Sequence, residues 1–293
     1  MPRHPTDDCR ERLRPVLEHI DRHLDEPLRL AQLARLTAWS PQHFHRRFRA
    51  CLGLTVARYV QLRRLKRAAY RLAFRPPAVI DVALEAGYRT PEAFARAFRR
   101  RCGQSPSAFR REARPRAWRD LHEAPAILPA PRPDSALEIV VLPERRVAVL
   151  EHRGDPDRLP ATLARFIAWR RRQGLPPRVS ATFNLLYGAP DTADPTAFRL
   201  DLCAELTRPV AFDEPGLLET TLPGGRALRA RHVGSDAAME AALRHLLGVW
   251  LPASGERRRD FPVIVERRRF FPDVAEHEAE CDLIVLLTPR GEG

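Results

Sequence analysis

Ser40-Pro41-Gln42-His43-Phe44-His45-Arg46-Arg47-Phe48 returns fifty residues later as Thr90-Pro91-Glu92-Ala93-Phe94-Ala95-Arg96-Ala97-Phe98, and the same offset carries Gly53 onto Gly103, Thr55 onto Ser105 and Tyr59 onto Phe109. Each copy opens on a Ser or Thr able to cap a helix, continues with Pro in the first turn, and spaces two Phe at i and i+4 between exposed polar positions. Each therefore reads as a short helix with a buried Phe face and a polar, largely cationic outer face.

The residues before each copy complete a motif. Leu28 to Leu36 forms a compact helix, Ala34 is small enough for close packing, and Ala38-Trp39 makes a turn into the first repeat. Before the second copy, Val79 to Ala86 with Gly87 at the turn repeats the pattern. Here the offset is 49, so the second turn holds one extra residue. Between them, Thr55 to about Phe74 carries an apolar stripe of Val56, Tyr59, Val60, Leu62, Leu65, Ala69 and Leu72, with Arg58, Arg63, Arg64, Lys66, Arg67 and Arg71 covering the rest. A helix of about 20 residues is about 30 Å long, enough to separate two small units by one DNA turn. Residues 1 to 10 read as a frayed start, followed by a helix from Arg12 to Asp25 with Leu13, Val16, Leu17, Ile20 and Leu24 on one face.

Charge supports a polyanion partner. Residues 1 to 118 hold 26 Lys and Arg against 11 Asp and Glu, whereas the remainder holds 24 against 26, so the whole excess of +13 lies in the first part. A basic module joined to a near-neutral one divides the work between nucleic acid and another task. The five scattered cysteines form no metal-ligand spacing, which argues against zinc and fits reduced thiols in a cytosol. No apolar run approaches the roughly 20 residues that span a bilayer, and no signal peptide opens the chain, so a cytoplasmic protein without a membrane partner is expected.

Two helix-turn-helix units at this spacing, bridged by a long helix and finished by Gly103 to Arg110, closely resemble the DNA-binding domain of the AraC/XylS transcriptional regulators. Ala83-x3-Gly87-Tyr88, Phe94-x-Arg96-x-Phe98-Arg99 and Gly103-x2-Pro106-x2-Phe109-Arg110 stand at family spacing. The resemblance implies an all-α domain over residues 10–114 that binds double-stranded DNA, with RNA polymerase as a further candidate partner. On the first recognition helix, Gln42, His43, His45 and Arg46 are the candidates for base contacts, since Arg can bond guanine bidentately and Gln adenine. On the second, Glu92 and Arg96 occupy the equivalent face. Glu92 either accepts from a cytosine amino group or simply stabilises a helix N-terminus. Arg47, Arg49, Arg99, Arg100 and Arg101 read as phosphate contacts that set register and salt dependence.

From Arg114 to Asp134, five prolines make a stiff connection, interrupted by one turn around Trp118 to Glu123; residues 115–136 are thus a linker. Beyond it lies a second repeat. Leu142-Pro143-x2-Arg146-x5-His152-x-Gly154 returns eighty residues on as Leu222-Pro223-x2-Arg226-x5-His232-x-Gly234, and each copy leads into a helix (Leu159 to Gln173; Ala237 to Leu251) and then two strands. The unit is strand-helix-strand-strand, twice: an α+β domain with one sheet, two helices and a groove between halves.

Residues 137–290 resemble the GyrI-like small-molecule-binding domain, on the paired Leu-Pro…His-x-Gly segments, Tyr187-Gly188-Ala189-Pro190 with a downstream Asp201, and Phe271-Pro272-Asp273-Val274 before the last strand. The resemblance implies a small-molecule effector held over aromatics beside an acid. Glu266 is the candidate acid, in a run more basic than the family's; Trp169, Trp250 and Tyr187 are core or pocket wall. His152 and His232, equivalent in the two copies, read as structural. No catalytic triad, phosphate loop, metal spacing or cofactor motif is present, so no catalytic residue, metal or cofactor is expected. Two other readings stay open for this half: a xenobiotic hydrolase, as some relatives of the fold are thought to be, or a protein-docking module.

Overall fold

A computed structural model describes residues 5–122, 137–187 and 198–289. The chain divides into two compact units. The first comprises residues up to Pro129 together with Phe271–His277; the second holds Ala130–Phe270 and Glu278–Gly293.

The first unit is helical. Helix α1 spans Pro5–Arg22, α2 Leu30–Arg35, α3 Pro41–Leu52, α4 Val56–Phe74, α5 Val79–Glu85, α6 Pro91–Cys102, α7 Pro106–Arg111 and α8 Pro115–His122. Local chemistry sets the ends. The side chains of Ser40, Thr55, Thr90 and Ser105 each accept the N–H three residues on, at 3.2–3.3 Å, satisfying one of the orphan donors of α3, α4, α6 and α7. Gly53 and Gly103 close α3 and α6 in the left-handed conformation, at φ 69° and 66°. The two helix-turn-helix turns are equivalent as well: Ala38 has φ 56° and Gly87 φ 78°, so the alanine takes the left-handed place of the glycine.

Burial follows the Phe repeat. Phe44 and Phe48 close the first core with Leu13, Val16, Leu17, Ile20, Leu33 and Tyr59. Phe94 and Phe98 continue through Phe109 to Trp118, with ring centroids 5.1–5.4 Å apart along the chain of contacts. Two expectations are corrected. Helix α1 begins at Pro5, seven residues before the expected start, and it carries Pro15 in its interior. Residues 115–122, expected as linker with a single turn, are the helix α8, held by burial of Ala117, Trp118 and Leu121. The rest of the expected linker lies outside the described residues.

Helix α4 departs most from expectation, because its cations are not a solvated cover. Arg63 and Lys66 are buried. Arg63 forks onto Asp21 at 2.8 and 2.7 Å and lies 2.6 Å from Glu276, and Lys66 donates to Glu276 at 2.8 Å. Arg64 donates to the carbonyls of Leu24 and Glu26, and Arg67 to that of Glu85. Buried charges persist only when paired, and each of these has its partner.

The second unit is one antiparallel sheet. Its strands are β1 Leu137–Leu142, β2 Arg145–Arg153, β3 Thr182–Leu186, β4 Arg199–Glu205, β5 Leu217–Leu222, β6 Gly225–Val233, β7 Val263–Arg269 and β8 Glu280–Leu286, with α9 (Leu159–Arg172) after β2 and α10 (Asp236–His245) after β6. A five-residue π-helical stretch, Leu246–Trp250, links α10 to the short α11, Leu251–Ser254. Strand order is β1-β6-β8-β7-β3-β4-β2-β5. The duplicated unit therefore has one strand more than expected in each half, and the extra strands are exchanged: β1 pairs with β6 of the second half and β5 with β2 of the first.

Alternation sorts the side chains between two faces. Ala148, Leu150, Leu202 and Ala204 pack with Phe166 and Trp169 of α9, and Leu228, Ala230, Val263, Val265 and Leu283 pack with α10. The opposite face carries Val147, Val149, Phe183, Leu185, Cys203, Ile264 and Ile284, with Tyr187 alongside.

Candidate nucleic-acid interface and ligand face

Anchored by its Phe pair, α3 leaves Gln42, Arg46, Arg47 and Arg49 exposed, while His43 and His45 are half-buried. The His43 ring meets Trp39 edge-on at 5.2 Å and accepts from Arg46 at 3.3 Å, so these two candidates brace each other. His45 lines a cleft of about 840 Å³ with Arg58, Gln61, Arg64 and Tyr88. On α6, Glu92, Arg96, Arg99 and Arg100 are exposed, and Arg101 is half-buried. Glu92 stands in the first turn of its helix, where a carboxylate complements the helix dipole.

The chain between α1 and α2 and the turn at Gly87 both meet the long helix at Arg64. Its Nε donates to the Leu24 carbonyl at 2.6 Å and its Nη2 to that of Glu26 at 2.8 Å. A Cβ on Gly87 would stand 2.8 Å from the Arg64 Cζ. A glycine there leaves the guanidinium room to hold the segment between α1 and α2 while lying against the turn of the second motif. Sequence reading found Gly87 as a turn residue and missed Arg64; nothing in its spacing distinguishes it from its neighbours.

In the second unit, the four effector candidates divide between the faces. Trp169 of α9 is fully buried, donating its indole N–H to Ala211 O at 2.9 Å, and Trp250 is half-buried against the apolar cluster beneath α10. Both belong to the helix-covered side of the sheet, so neither lies on the opposite face. Tyr187 and Glu266 do lie on the face away from the helices, Glu266 in alternation with Ile264 on β7.

Around them is a polar end that the sequence reading missed. Tyr187 donates to Asp201 at 2.7 Å, and Arg199 donates to Asp201 and to the Tyr187 oxygen, each at 3.1 Å. Arg199 also reaches Glu151 at 3.0 Å, and its guanidinium carbon stands 3.8 Å from the centroid of the Tyr187 ring. Burial, then the neighbouring Asp201, pushes the Tyr187 phenol well above its ordinary range. The hydrogen bond to Asp201 raises Arg199 further. In the second half, Asp282 is fully buried and receives both Arg231 and Arg268, the latter at 2.7 Å; Arg268 also reaches Glu266 at 3.3 Å, and Arg231 pairs with Glu280.

The halves can be superposed residue by residue. Glu151 lies opposite Asp201 on neighbouring strands, and Arg231 opposite Asp282; likewise Leu185 opposes Asp201 and Glu266 opposes Asp282. An eighty-one-residue offset from Asp201 to Asp282 was the available signal. His152 and His232 are equivalent as well. Each is buried with its Nε2 against the carbonyl of the residue three positions on, and burial lowers the affinity of both rings for a proton.

A helical unit with two capped, cationic helices, joined in one chain to a duplicated sheet that carries polar clusters around Asp201 and Asp282 on the face away from its helices, is the architecture of a DNA-binding regulator with a ligand-binding domain. Residues 135–288 match the GyrI-like small molecule binding domain, and residues 33–112 match a helix-turn-helix domain. The chain belongs to the GyrI-like family and is an AraC-type transcriptional regulator with a small-molecule-binding domain. It is 36% identical to the probable transcriptional regulator YgiV of Escherichia coli K12 over 152 residues, 52% of this chain and 95% of that protein. It is 33% identical to the regulatory protein SoxS of Salmonella typhimurium over 98 residues, 33% of this chain and 92% of that protein. The crystal structure of the DNA-binding domain of AdpA with a target DNA aligns at 32% identity and a TM-score of 0.32, covering 34% of this chain and 89% of that one.

Proposed function

We propose that α3 and α6 enter successive major-groove segments of duplex DNA, and that the sheet face away from the helices receives, at its polar end around Tyr187, the small molecule that regulates this binding. The observation that carries the reading is the repeated design of the two helices: the same cap, Phe pair and left-handed stop hold a polar face outward in each copy. Gln42, His43, His45 and Arg46 read bases; Glu92 and Arg96 secure the second segment; Arg47, Arg49, Arg99 and Arg100 hold phosphate. With Ala95 offering only apolar contact, the first helix carries more of the sequence preference. The DNA-binding portion runs through His122 rather than stopping at Arg114, and the effector portion starts near Leu137. Tyr187 and Glu266 are the effector contacts. The regulator acts in the cytoplasm, as a sensor rather than an enzyme, with RNA polymerase as a partner at the promoter. Among the described residues no helix is long and apolar enough to cross a membrane.

Mobility shifts with duplexes selected by the protein test the DNA reading. Arg46→Ala should cost about 1–3 kcal/mol on the selected site and relax preference at one position, whereas Arg99→Ala should weaken all sequences alike and lower the salt slope by about 1. No sequence preference at moderate salt, or a preference untouched by Arg46→Ala, overturns it.

A further inference from the structure

Residues Phe271–His277 belong to the first unit, although the strands on either side of them, β7 and β8, belong to the second. A short piece of the sheet domain's chain is thus packed as part of the helical unit. Its side chains fix it along α4. The Phe271 ring meets Tyr70 edge-on at 4.8 Å, and Asp273 accepts from the Arg75 Nε at 2.8 Å. Glu276 pairs with Arg63 at 2.6 Å and Lys66 at 2.8 Å, and His277 lies 3.1 Å from the Arg22 guanidinium.

The long helix has two polar faces, and the segment covers one of them. Arg63, Lys66 and Tyr70 stand at i, i+3 and i+7 and face the segment. Arg64, Arg67 and Arg71 face the chain leading into α2 and the end of α5. Arg64 holds the Leu24 and Glu26 carbonyls, Arg67 that of Glu85, and Arg71 the Glu85 carboxylate at 3.0 Å. A packed helix is stiff, so a displacement on one face is felt on the other.

Charge makes the seating part of the helical unit's own stability. Arg63 and Lys66 are 5% and 6% exposed, and the helices supply Asp21 as their counter-charge. With Glu276 in place two buried cations face two carboxylates; without it, two face one, an arrangement proteins do not sustain. The duplication shows that the sheet does not call for these anchors. Eighty-one residues earlier, between β3 and β4, the chain has Pro190, Thr192, Pro195 and Thr196 in place of Phe271, Asp273, Glu276 and His277.

We propose that residues 271–277 are a coupling strap. Seated along α4, they hold the helix that positions both helix-turn-helix motifs, and a change in β7 or β8, ligand binding included, reaches α3 and α6 through them. The proposal rests on the reading of α3 and α6 as DNA-contacting helices and adds the route by which the sheet domain acts on them. Linkage is reciprocal, so DNA bound by α3 and α6 must act on β7 and β8 in return.

Hydrogen exchange of the full chain, with and without a duplex selected by the protein, tests this. Without DNA, Glu276→Gln should speed exchange at least about tenfold in α1 and α4 and also in β7 and β8, with β2 and α9 unchanged. With DNA, wild type should slow exchange in β7 and β8 as well as in α3 and α6. In Glu276→Gln the response of β7 and β8 should disappear and affinity for the duplex fall about tenfold. Asp273→Asn, which loosens only the half-exposed pair with Arg75, should give the same pattern at smaller amplitude, and it decides the matter should Glu276→Gln not fold. Acceleration confined to α1 and α4 overturns the strap, as does a duplex that slows α3 and α6 in wild type and leaves β7 and β8 untouched. If no duplex slows α3 or α6, the DNA reading fails, and the strap then stands or falls on whether the acceleration reaches β7 and β8.

Discussion

Gly87→Ala should be among the most damaging single-atom changes in the helical unit, and its cost can be divided by a second substitution. Gly87 sits at φ 78°, where an L side chain costs about 1–2 kcal/mol. The new Cβ would also stand 2.8 Å from the Arg64 Cζ, closer than non-bonded carbons tolerate, so the guanidinium must withdraw. Withdrawal breaks its bonds to the Leu24 and Glu26 carbonyls at 2.6 and 2.8 Å. Hydrogen bonds from charged donors are worth about 1.5–3 kcal/mol each, and the half-exposed setting of Arg64 reduces that to about 1. The whole change should therefore cost about 3–4 kcal/mol. In an Arg64→Ala background the clash is gone and only the backbone strain remains, so the same Gly87→Ala step should cost about 1–2 kcal/mol there. Urea unfolding followed by far-ultraviolet circular dichroism measures all four corners of the cycle. Equal costs in the two backgrounds would show that Arg64 is not what Gly87 makes room for. Because Arg64 holds the segment that leads into α2 and lies against the turn of the second motif, Gly87→Ala should also weaken DNA binding under conditions where the chain is folded.

The equivalent turn gives the opposite expectation. Ala38 is exposed and left-handed at φ 56°, so Ala38→Gly should stabilise the helical unit by about 0.5–1 kcal/mol after the greater chain entropy of glycine is subtracted, and a loss of stability would contradict the turn geometry. In the buried cluster, burial opposes ionisation of Glu276, but Arg63 and Lys66 outweigh it and hold the carboxyl down at about 2. A depressed acid contributes above its unfolded value, near 4.5, and its contribution fades as pH falls from there toward 2. The contribution at neutral pH is about 3 kcal/mol. Glu276→Gln should lose it at pH 7 and flatten the acid limb of the stability profile; a variant whose acid limb matches wild type would contradict the pairing.

The helical unit was largely legible because its signals are local. Caps and Phe spacing act within one turn of chain: they place the starts of α3 and α6 and both ends of α4 within a residue or so, while α3 and α6 run four residues past Phe48 and Phe98, to Leu52 and Cys102. The partners of the long-helix cations are not local: Asp21 lies 42 residues from Arg63, and Glu276 lies 210 from Lys66. An Arg beside an apolar stripe looks the same in sequence whether it meets water or a buried carboxylate, and so Arg63 and Lys66 were read as surface. The edge strands failed for a related reason. Val141 and Leu218 are exposed and the alternation of β1 and β5 is weak, because an edge strand has one neighbour to satisfy; the eighty-residue offset that relates Leu137 to Leu217 was the stronger clue. Trp169 shows the limit of residue type as evidence. A large aromatic suits a pocket wall or a core equally, and only the face of the sheet decides.

Both halves of the chain are duplications, and in both the frame is repeated while the chemistry is not. The two recognition helices share cap, Phe pair and stop, yet Gln42 and His45 of the first become Glu92 and Ala95 in the second. The two halves of the sheet share the buried aspartates at Asp201 and Asp282, yet around them a tyrosine has become Arg268, an arginine Glu280 and a glutamate Arg231. The frame positions are constrained by packing and by buried polar groups, where a change costs several kcal/mol; the outward positions are held only by what they bind. Buried positions diverge too, as at Ala148 against Leu228 and Leu150 against Ala230, but there one apolar residue replaces another; the changes of charge fall at the outward positions and make each surface asymmetric although each scaffold is two-fold. For the two helices this asymmetry predicts an operator whose two segments respond unequally to substitution, the segment facing α3 more than the one facing α6.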